Sequence, residues 1–330
     1  MIFAERPTTD TQGSILAHSI ELPKGRLRKG AVLAAEHIDA LLNAGIERVT
    51  VATLEVGDVE ENDAARRLGE ALLDGANGLR ATAAATGRVN IMADHAGVAL
   101  LDVEQLTQMN ALNPMITFAS VPDHHQMHQG GMLGTVKIIS YAVPDIDLEA
   151  ACALASGAVK LAAPTSMSVS LIITQIRENA DETKAIAATE ARLNALDAVL
   201  VETVTCPHGI SPLTRTIQKA QGDLILILTG SATSDPADVA PAALVSAGGG
   251  HLIRFGMPVD PGNLLFIGDL DGRSVIGLPG CARSPALNGA DKVLSRVLCG
   301  VPVSSADIAG MGIGGLLKEI PTRPRPRRAK

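Results

Sequence analysis

The stretch DLILILTGSATSDPADVAPAAL, Asp223–Leu244, sets an apolar run ahead of small residues and two carboxylates. The run Asp223–Thr229 reads as a strand buried on both faces, because it lacks the alternation of a half-exposed strand. A loop follows, made of Thr229, Gly230, Ser231, Ala232, Thr233 and Ser234, and a helix is expected over Asp238–Ala247. In open α/β sheets ligands bind beyond the carboxyl ends of the strands. Small side chains let a ligand reach main-chain N–H groups, and a helix N-terminus favours anions. The chemistry is that of an oxyanion or phosphate cradle. Asp235 and Asp238 stand next to it and suit a Mg2+ ion bridging to phosphate. The competing reading is that Asp238 only caps the helix. The loop is neither GxGxxG nor a Walker loop with its Lys.

A second stretch, GMPVDPGNLLFIGDLDGRSVIGLPGCARSP, covers Gly256–Pro285. Strands are expected at Leu264–Ile267 and Ser274–Leu278, and the ends of both are crowded with Gly and Pro. Such residues fix a backbone in open turns, which suits a surface that something sits against. Arg283 offers a bidentate fork to phosphate. Ser284 and the Gly280 N–H add donors at the start of a last helix, expected over Pro285–Leu298. Against this, the glycines and prolines serve tight turns alone, and Arg283 serves a salt bridge. Cys281 reads as a small buried thiol, since no second Cys or His stands nearby.

His208 follows the strand expected at Ala198–Thr205, at the end where ligands bind, and can hydrogen-bond a ligand or stand in solvent. Lys184 reads as a solvated surface residue. Asp223 lies at the far end of its strand from Thr229, so its expected role is structural. PDHHQMH holds His124, His125 and His128, which look like metal ligands. Pro122 and Gly130-Gly131 flank them, however, and favour a loop where helical spacing does not apply. No GxSxG, HExxH or dinucleotide fingerprint is present.

The elements that position these residues alternate. From Ser168 the order is strand Ser168–Thr174, helix Thr183–Leu193, strand Ala198–Thr205, helix Ser211–Ala220, then the buried strand and its helix. Alternation of this kind gives a mostly parallel sheet covered by helices on both faces. The fold class is therefore α/β, a three-layer αβα domain preceded by an α+β domain. In the first half a helix is expected at about Ala31–Asn43 and a strand at Arg48–Leu54. A second helix carries Ala64, Ala65, Leu68, Ala71 and Leu72 on one face, with Asp58 as its N-cap. Strands follow at Val89–Ala93, Met115–Ala119 and Leu133–Val143, and a helix at Leu148–Ser156. The domains are drawn as 1–165, 166–317 and a basic, Pro-rich flexible tail at 318–330.

Of the 330 residues 46% are hydrophobic and 19% charged, which excludes a disordered chain. There is no Trp, one Tyr and four Phe, too few aromatics for base stacking, and the net charge of −7 attracts no nucleic acid. No apolar run reaches the roughly 20 residues of a membrane span. The opening MIFAERPTTD lacks the apolar stretch of a signal peptide, so the chain reads as cytoplasmic. Four scattered cysteines read as reduced thiols.

Thr229-Gly230 with Pro236, Asp238-Val239 and Pro241 resembles the pattern Thr-Gly-Gly-Thr-Gly-x-x-Pro-x-Asp-Val-x-Pro-Glu-Ala of molybdopterin-binding domains of the gephyrin G and E type, found in molybdenum-cofactor biosynthesis proteins. Ser231-Ala232-Thr233 replaces Gly-Thr-Gly, Asp235 stands at a variable position, and Ala242 replaces Glu. Gly277-Leu278-Pro279-Gly280 is similar to the family's Gly-Leu-Pro-Gly-Asn-Pro, with Cys281-Ala282-Arg283-Ser284 after it. GMPVDPGN at Gly256–Asn263, GLPGCARSP and MGIGGLL at Met311–Leu317 resemble the branch associated with a molybdopterin cytidylyltransferase-like domain. GSILAHSIELPKGRLRKG, GDVEENDAA and GTVKIISYAV in the first half do so too. The resemblance implies a site for molybdopterin built from Thr229, Gly230, Ser231, Ala232, Pro258, Asp260, Gly262, Asn263, Pro279, Gly280, Cys281, Arg283, Ser284 and His208. It implies a protein that presents molybdopterin for molybdate insertion or nucleotide transfer. The alternatives are a transferase that adenylates molybdopterin with MgATP, where Asp235 and Asp238 hold the metal and act in catalysis, and a molybdopterin or molybdate sensor. Implied partners are molybdate, ATP or CTP, a cytidylyltransferase domain or a molybdoenzyme, and further copies of the chain in a homo-oligomer.

Overall fold

The computed structural model describes residues 1–178 and 180–317. The expected tail at 318–330 lies outside the described residues. The chain forms two compact units, one of Met1–His95 with Ala99–Leu161, the other of Ala96–Val98 with the residues from Ala162 onward.

The second unit is built on a six-stranded sheet. Its strands are β1 (Ser168–Gln175), β2 (Val199–Pro207), β3 (Leu224–Leu228), β4 (Gly250–Phe255), β5 (Phe266–Leu270) and β6 (Arg273–Leu278), in the order β2-β1-β3-β6-β5-β4. β2, β1, β3 and β6 are parallel, and β5 and β4 continue the sheet antiparallel. The helices are α1 (Thr183–Asn194), α2 (Ile210–Lys219), α3 (Val239–Val245), α4 (Gly289–Leu298) and α5 (Ser305–Gly310). On one face Ile172, Ile225, Ile227 and Val275 pack with Leu213 and Ile217 of α2 and Ala240, Ala243 and Leu244 of α3. Leu171, Ile173, Leu226 and Ile276 are equally buried and point the other way by the period of two. On this side α1 lies beside β2 and α4 beside β6. All five residues of β3 are buried, and each contributes about 2 kcal/mol relative to exposure. That is why an unbroken apolar run is stable only in the middle of the sheet.

Two expectations need correction here. The helix expected over Pro285–Leu298 starts at Gly289, with Asn288 as its cap, and is not the last, since α5 follows it; residues Gly280–Arg283 form a separate 3-10 turn. Ser284 is therefore not at the mouth of α4. The strand β4 has no counterpart in the sequence reading, because Gly248-Gly249-Gly250 ahead of it looks like loop.

The first unit is α+β. A four-stranded antiparallel sheet orders Ile116–Ser120, Met132–Ile138, Arg88–Ala93 and Leu79–Ala81. The helix Glu61–Leu72 packs on it through Ala64, Ala65, Leu68 and Leu72, all without exposed surface. Its cap is Glu60 rather than Asp58: a Glu60 carboxylate oxygen accepts from Asn62 N at 2.8 Å and Asp63 N at 3.2 Å. Asp58–Glu60 is held extended by pairing with Ala142–Pro144, so the helix cannot begin earlier. That pairing also divides the expected strand Leu133–Val143 at Ile138. A second sheet pairs Arg48–Thr53 with Ile2–Pro7 and Ile15–Leu16.

Candidate functional site

The parallel register brings four strand ends to one edge. Gln175 pairs with Pro207, Ile173 with Leu228, and Leu228 with Leu278. His208, the loop from Thr229 and the loop from Pro279 therefore start side by side. The two bends that carry the sequence motifs are neighbours on adjacent strands.

Side chains tie the loops together. Thr174 Oγ1 accepts from Gly230 N at 3.0 Å and lies 2.8 Å from His208 Nδ1. The His208 main chain also donates to the Gln175 carbonyl at 2.9 Å. Thr229 Oγ1 donates to the Ser231 carbonyl at 2.6 Å and closes the loop on itself. A Cβ on Gly230 would lie 2.7 Å from the Thr174 carbonyl, so only glycine fits there. Arg283 donates from Nη2 to the Thr229 carbonyl at 3.0 Å and pairs through Nη1 with Glu182. Its guanidinium is thus partly engaged in joining the two loops, and its charge is met by a carboxylate that is 11% exposed.

Main-chain donors remain at the rim. Among the described residues the N–H groups of Ser231, Ala232 and Gly280 have no hydrogen-bond partner, and all three residues are exposed. A Cβ on Gly280 would meet nothing within 4 Å. Open amides on two adjacent loops make an anion-binding surface without requiring a cationic side chain.

The carboxylates are otherwise occupied. Asp238 accepts from Val239 N at 2.7 Å and from Ser234 N at 3.0 Å, and it caps α3. The Ser234 and Val239 N–H groups hold its carboxyl below the ordinary range, and His208 adds to this. Asp235 accepts from Ala237 N at 2.7 Å. Among the described residues no three His, Cys, Asp or Glu side chains gather as a metal site. In the first unit, the His124 and Asp123 side chains contact each other at 2.7 Å, and His124 sits at φ 61 in a turn, which removes the helical spacing of the His124, His125 and His128 cluster.

The segment Gly256–Asn263 packs mainly against other partners. Gly289 N donates to the Pro261 carbonyl at 2.7 Å, and a Cβ on Gly262 would lie 2.6 Å from that nitrogen. Asp260 exchanges main-chain bonds with Gly315 and Leu317, and Pro258 lies against Gly312. Pro258, Asp260 and Gly262 thus anchor the start of α4 and the MGIGGLL segment, while Asn263 bonds back to Met257 and closes its own segment. Burial pushes the Cys281 thiol up; its own main-chain N–H and Arg192 oppose this, and Asp260 and Asp291 reinforce it.

Three positioning residues escaped the sequence reading. Arg192 uses all five guanidinium donors: Nε to Asp291 at 2.6 Å, Nη1 to the Ala188 and Ala282 carbonyls, Nη2 to the Ser284 and Ala286 carbonyls. It fixes the loop Gly280–Ala286 from a helix 90 residues earlier. Glu182 and Thr174 act in the same way on Arg283 and Gly230. Nothing local in TKAIAATEARLN marks Arg192; four of its partners are main-chain carbonyls that any sequence supplies, and the fifth, Asp291, is 99 residues away.

Residues 5–53 match a family described as a domain of unknown function (DUF8806). No curated protein matches the chain. Among solved structures, the chain is similar to a molybdopterin biosynthesis MoeA protein from Pyrococcus horikosii at 14% identity, covering 94% of this chain and 76% of that one, TM-score 0.31. It is also similar to a molybdenum cofactor biosynthesis protein from Pyrococcus furiosus at 13% identity, covering 91% of this chain and 65% of that one, TM-score 0.23. The chain therefore spans a little under two thirds of the second relative.

Proposed function

We propose that the second unit binds molybdopterin at the rim formed by Thr229–Thr233, Pro279–Ser284 and His208, and presents it during molybdenum-cofactor biosynthesis. The observation that carries this reading is the Leu228–Leu278 pairing, which sets the two motif-bearing loops side by side. The phosphate of the ligand fits the Ser231, Ala232 and Gly280 amides, and the small side chains let it approach them. Arg283 and Arg192 hold the loops that carry those amides. His208 stands where a pterin or phosphate atom can take a hydrogen bond. Pro258, Asp260 and Gly262 act on the ligand only indirectly in this reading, by anchoring the start of α4 and the MGIGGLL segment.

A carrier is favoured over a MgATP-dependent transferase because Asp235 and Asp238 already accept main-chain N–H bonds in their own loop. A metal would have to compete with those bonds. The test is to mix purified protein with molybdopterin, separate it by gel filtration, and measure retained pterin by the fluorescence of its oxidised form. MgATP or MgCTP is then added and pyrophosphate release followed. The expected result is retention without turnover. Pyrophosphate release would replace the carrier by a transferase, and absence of retention would remove the site altogether.

A further inference from the structure

The first unit has its own cleft of about 450 Å3, lined in part by Phe3, Lys29, Glu61, Lys137, Ile139 and Tyr141. Its polar floor is built. The Tyr141 hydroxyl donates to the Ala17 carbonyl at 3.1 Å, which fixes the ring. The Lys29 ammonium lies 5.9 Å from the ring centroid, within reach of a cation–π interaction. Lys137 donates to the Thr86 carbonyl and stands 3.8 Å from Glu61 Oε2. Gly87 makes room for this pair: a Cβ there would lie 2.7 Å from Glu61 Oε2 and 3.1 Å from Lys137 Nζ.

The charges leave an excess. Lys137 and Glu61 offset each other, and their side chains are only 30% and 16% exposed. Burial pushes the Glu61 carboxyl up, so this end of the cleft is poorly solvated. The amino group of Met1, also on the wall, is paired with Asp58 and Glu55. Lys29 and Lys137 both act on Glu61, the carboxylate of this lining, with Glu60 beyond the lining, so the lining itself holds one lysine charge in excess. Beside it Phe3 and Ile139, each 54% exposed, give an apolar lip. A bare inorganic anion would leave that lip in water, and a neutral ring would leave the ammonium without a counter-charge.

We propose that this cleft binds a flat aromatic ring carrying an oxyanion, with the ring between Phe3, Ile139 and Tyr141 and the oxyanion on Lys29. The proposal stands apart from the rim reading, since it uses residues of the other unit only.

Tyr141 is the one tyrosine of a chain without tryptophan, so its emission reports this cleft directly. The full chain is titrated with phenyl phosphate and with benzoate, which separate phosphate from carboxylate as the anchoring group. Inorganic phosphate and benzyl alcohol supply the anion and the ring alone. A saturable change in Tyr141 emission is expected with at least one aromatic anion, at about tenfold or more higher affinity than with either fragment. Lys29→Ala should weaken it about tenfold; Lys29→Arg should keep it, and Arg283→Ala should leave it unchanged. Circular dichroism of each variant checks the fold. No saturable change, equal affinity for inorganic phosphate, or indifference to Lys29→Ala would each overturn the proposal.

Discussion

Arg283 reaches from the turn after one strand to the carbonyl of Thr229 at the end of its neighbour, 3.0 Å away. The bond joins two loops 54 residues apart. With Glu182 on its other side, Arg283 holds the rim at a fixed width. A guanidinium used in this way ties the two loops together through a main-chain carbonyl and a carboxylate.

Arg283→Ala is therefore expected to weaken pterin retention by about tenfold, the scale of one lost charge-assisted bond. It also leaves Glu182 without its cation. The double variant Arg283→Ala with Glu182→Gln should recover stability but not retention. Urea midpoints and gel-filtration retention of the two variants check this. If the double variant regains retention, the loop tie is not what matters.

Gly230→Ala places a methyl 2.7 Å from the Thr174 carbonyl. Overpacking of this kind costs about 1–3 kcal/mol, or else displaces the loop. In either case retention should fall. Gly280→Ala meets nothing within 4 Å, so it should leave stability within about 0.5 kcal/mol. Thermal melts of the pair separate the two glycines, and equal melts would contradict the packing argument.

The contrast between these glycines shows what was legible in the sequence. The parallel sheet was legible from apolar runs alternating with helical faces, because a strand buried on both faces shows as an unbroken apolar run such as Leu224–Leu228. The spacing from Thr229 to Pro241 marked the loop. The helix start at Gly289 was not legible: Pro285 looks like a first helical residue, yet Arg192 captures the Ser284 and Ala286 carbonyls and holds the chain out of the helix. Nor could the spare capacity of Arg283 be read, since Glu182 is 101 residues away. Asp58 failed as a cap for the same reason, a strand partner at Pro144.

Arg192 is the strongest single anchor of the rim. Its side chain is 10% exposed and that of Asp291 12%. Arg192→Ala leaves a carboxylate buried and four carbonyls without this donor, which should cost about 3–5 kcal/mol. Arg192→Lys should not restore it, because one ammonium cannot span the positions a planar fork reaches. Chemical denaturation measures the loss. A lysine variant with wild-type stability would show that the five bonds are not jointly required.

Asp238 sets an acid limit. Its carboxyl lies below the ordinary value of 3.8, chiefly through the Ser234 and Val239 N–H groups, with partial burial opposing. A depressed carboxyl stabilises the fold fully above that ordinary value and loses its contribution as pH falls through the folded one. Stability should therefore drop on acidification below about pH 4. Asp238→Asn keeps a cap and removes the titration, so its decline over that window should be shallower. Urea midpoints at neutral and acid pH compare the two. Parallel curves would mean that Asp238 does not contribute to the acid loss.

Cys299 gives the last check, on the packing of α4 at its end away from the rim. Burial alone pushes its thiol up to about 11. At neutral pH the thiolate fraction is then on the order of one in ten thousand, and the thiolate is the reactive form. Cys206, also buried, is pushed up by the same cause. Iodoacetamide added to the native protein should leave Cys299 unmodified over a period in which the urea-unfolded chain is labelled at all four cysteines. Peptide mass mapping reads the sites. Labelling of Cys299 at the same rate in both states would mean that α4 does not pack against the sheet as described, and the Asn288 cap and the Arg192–Asp291 pair that depend on that packing would fall with it.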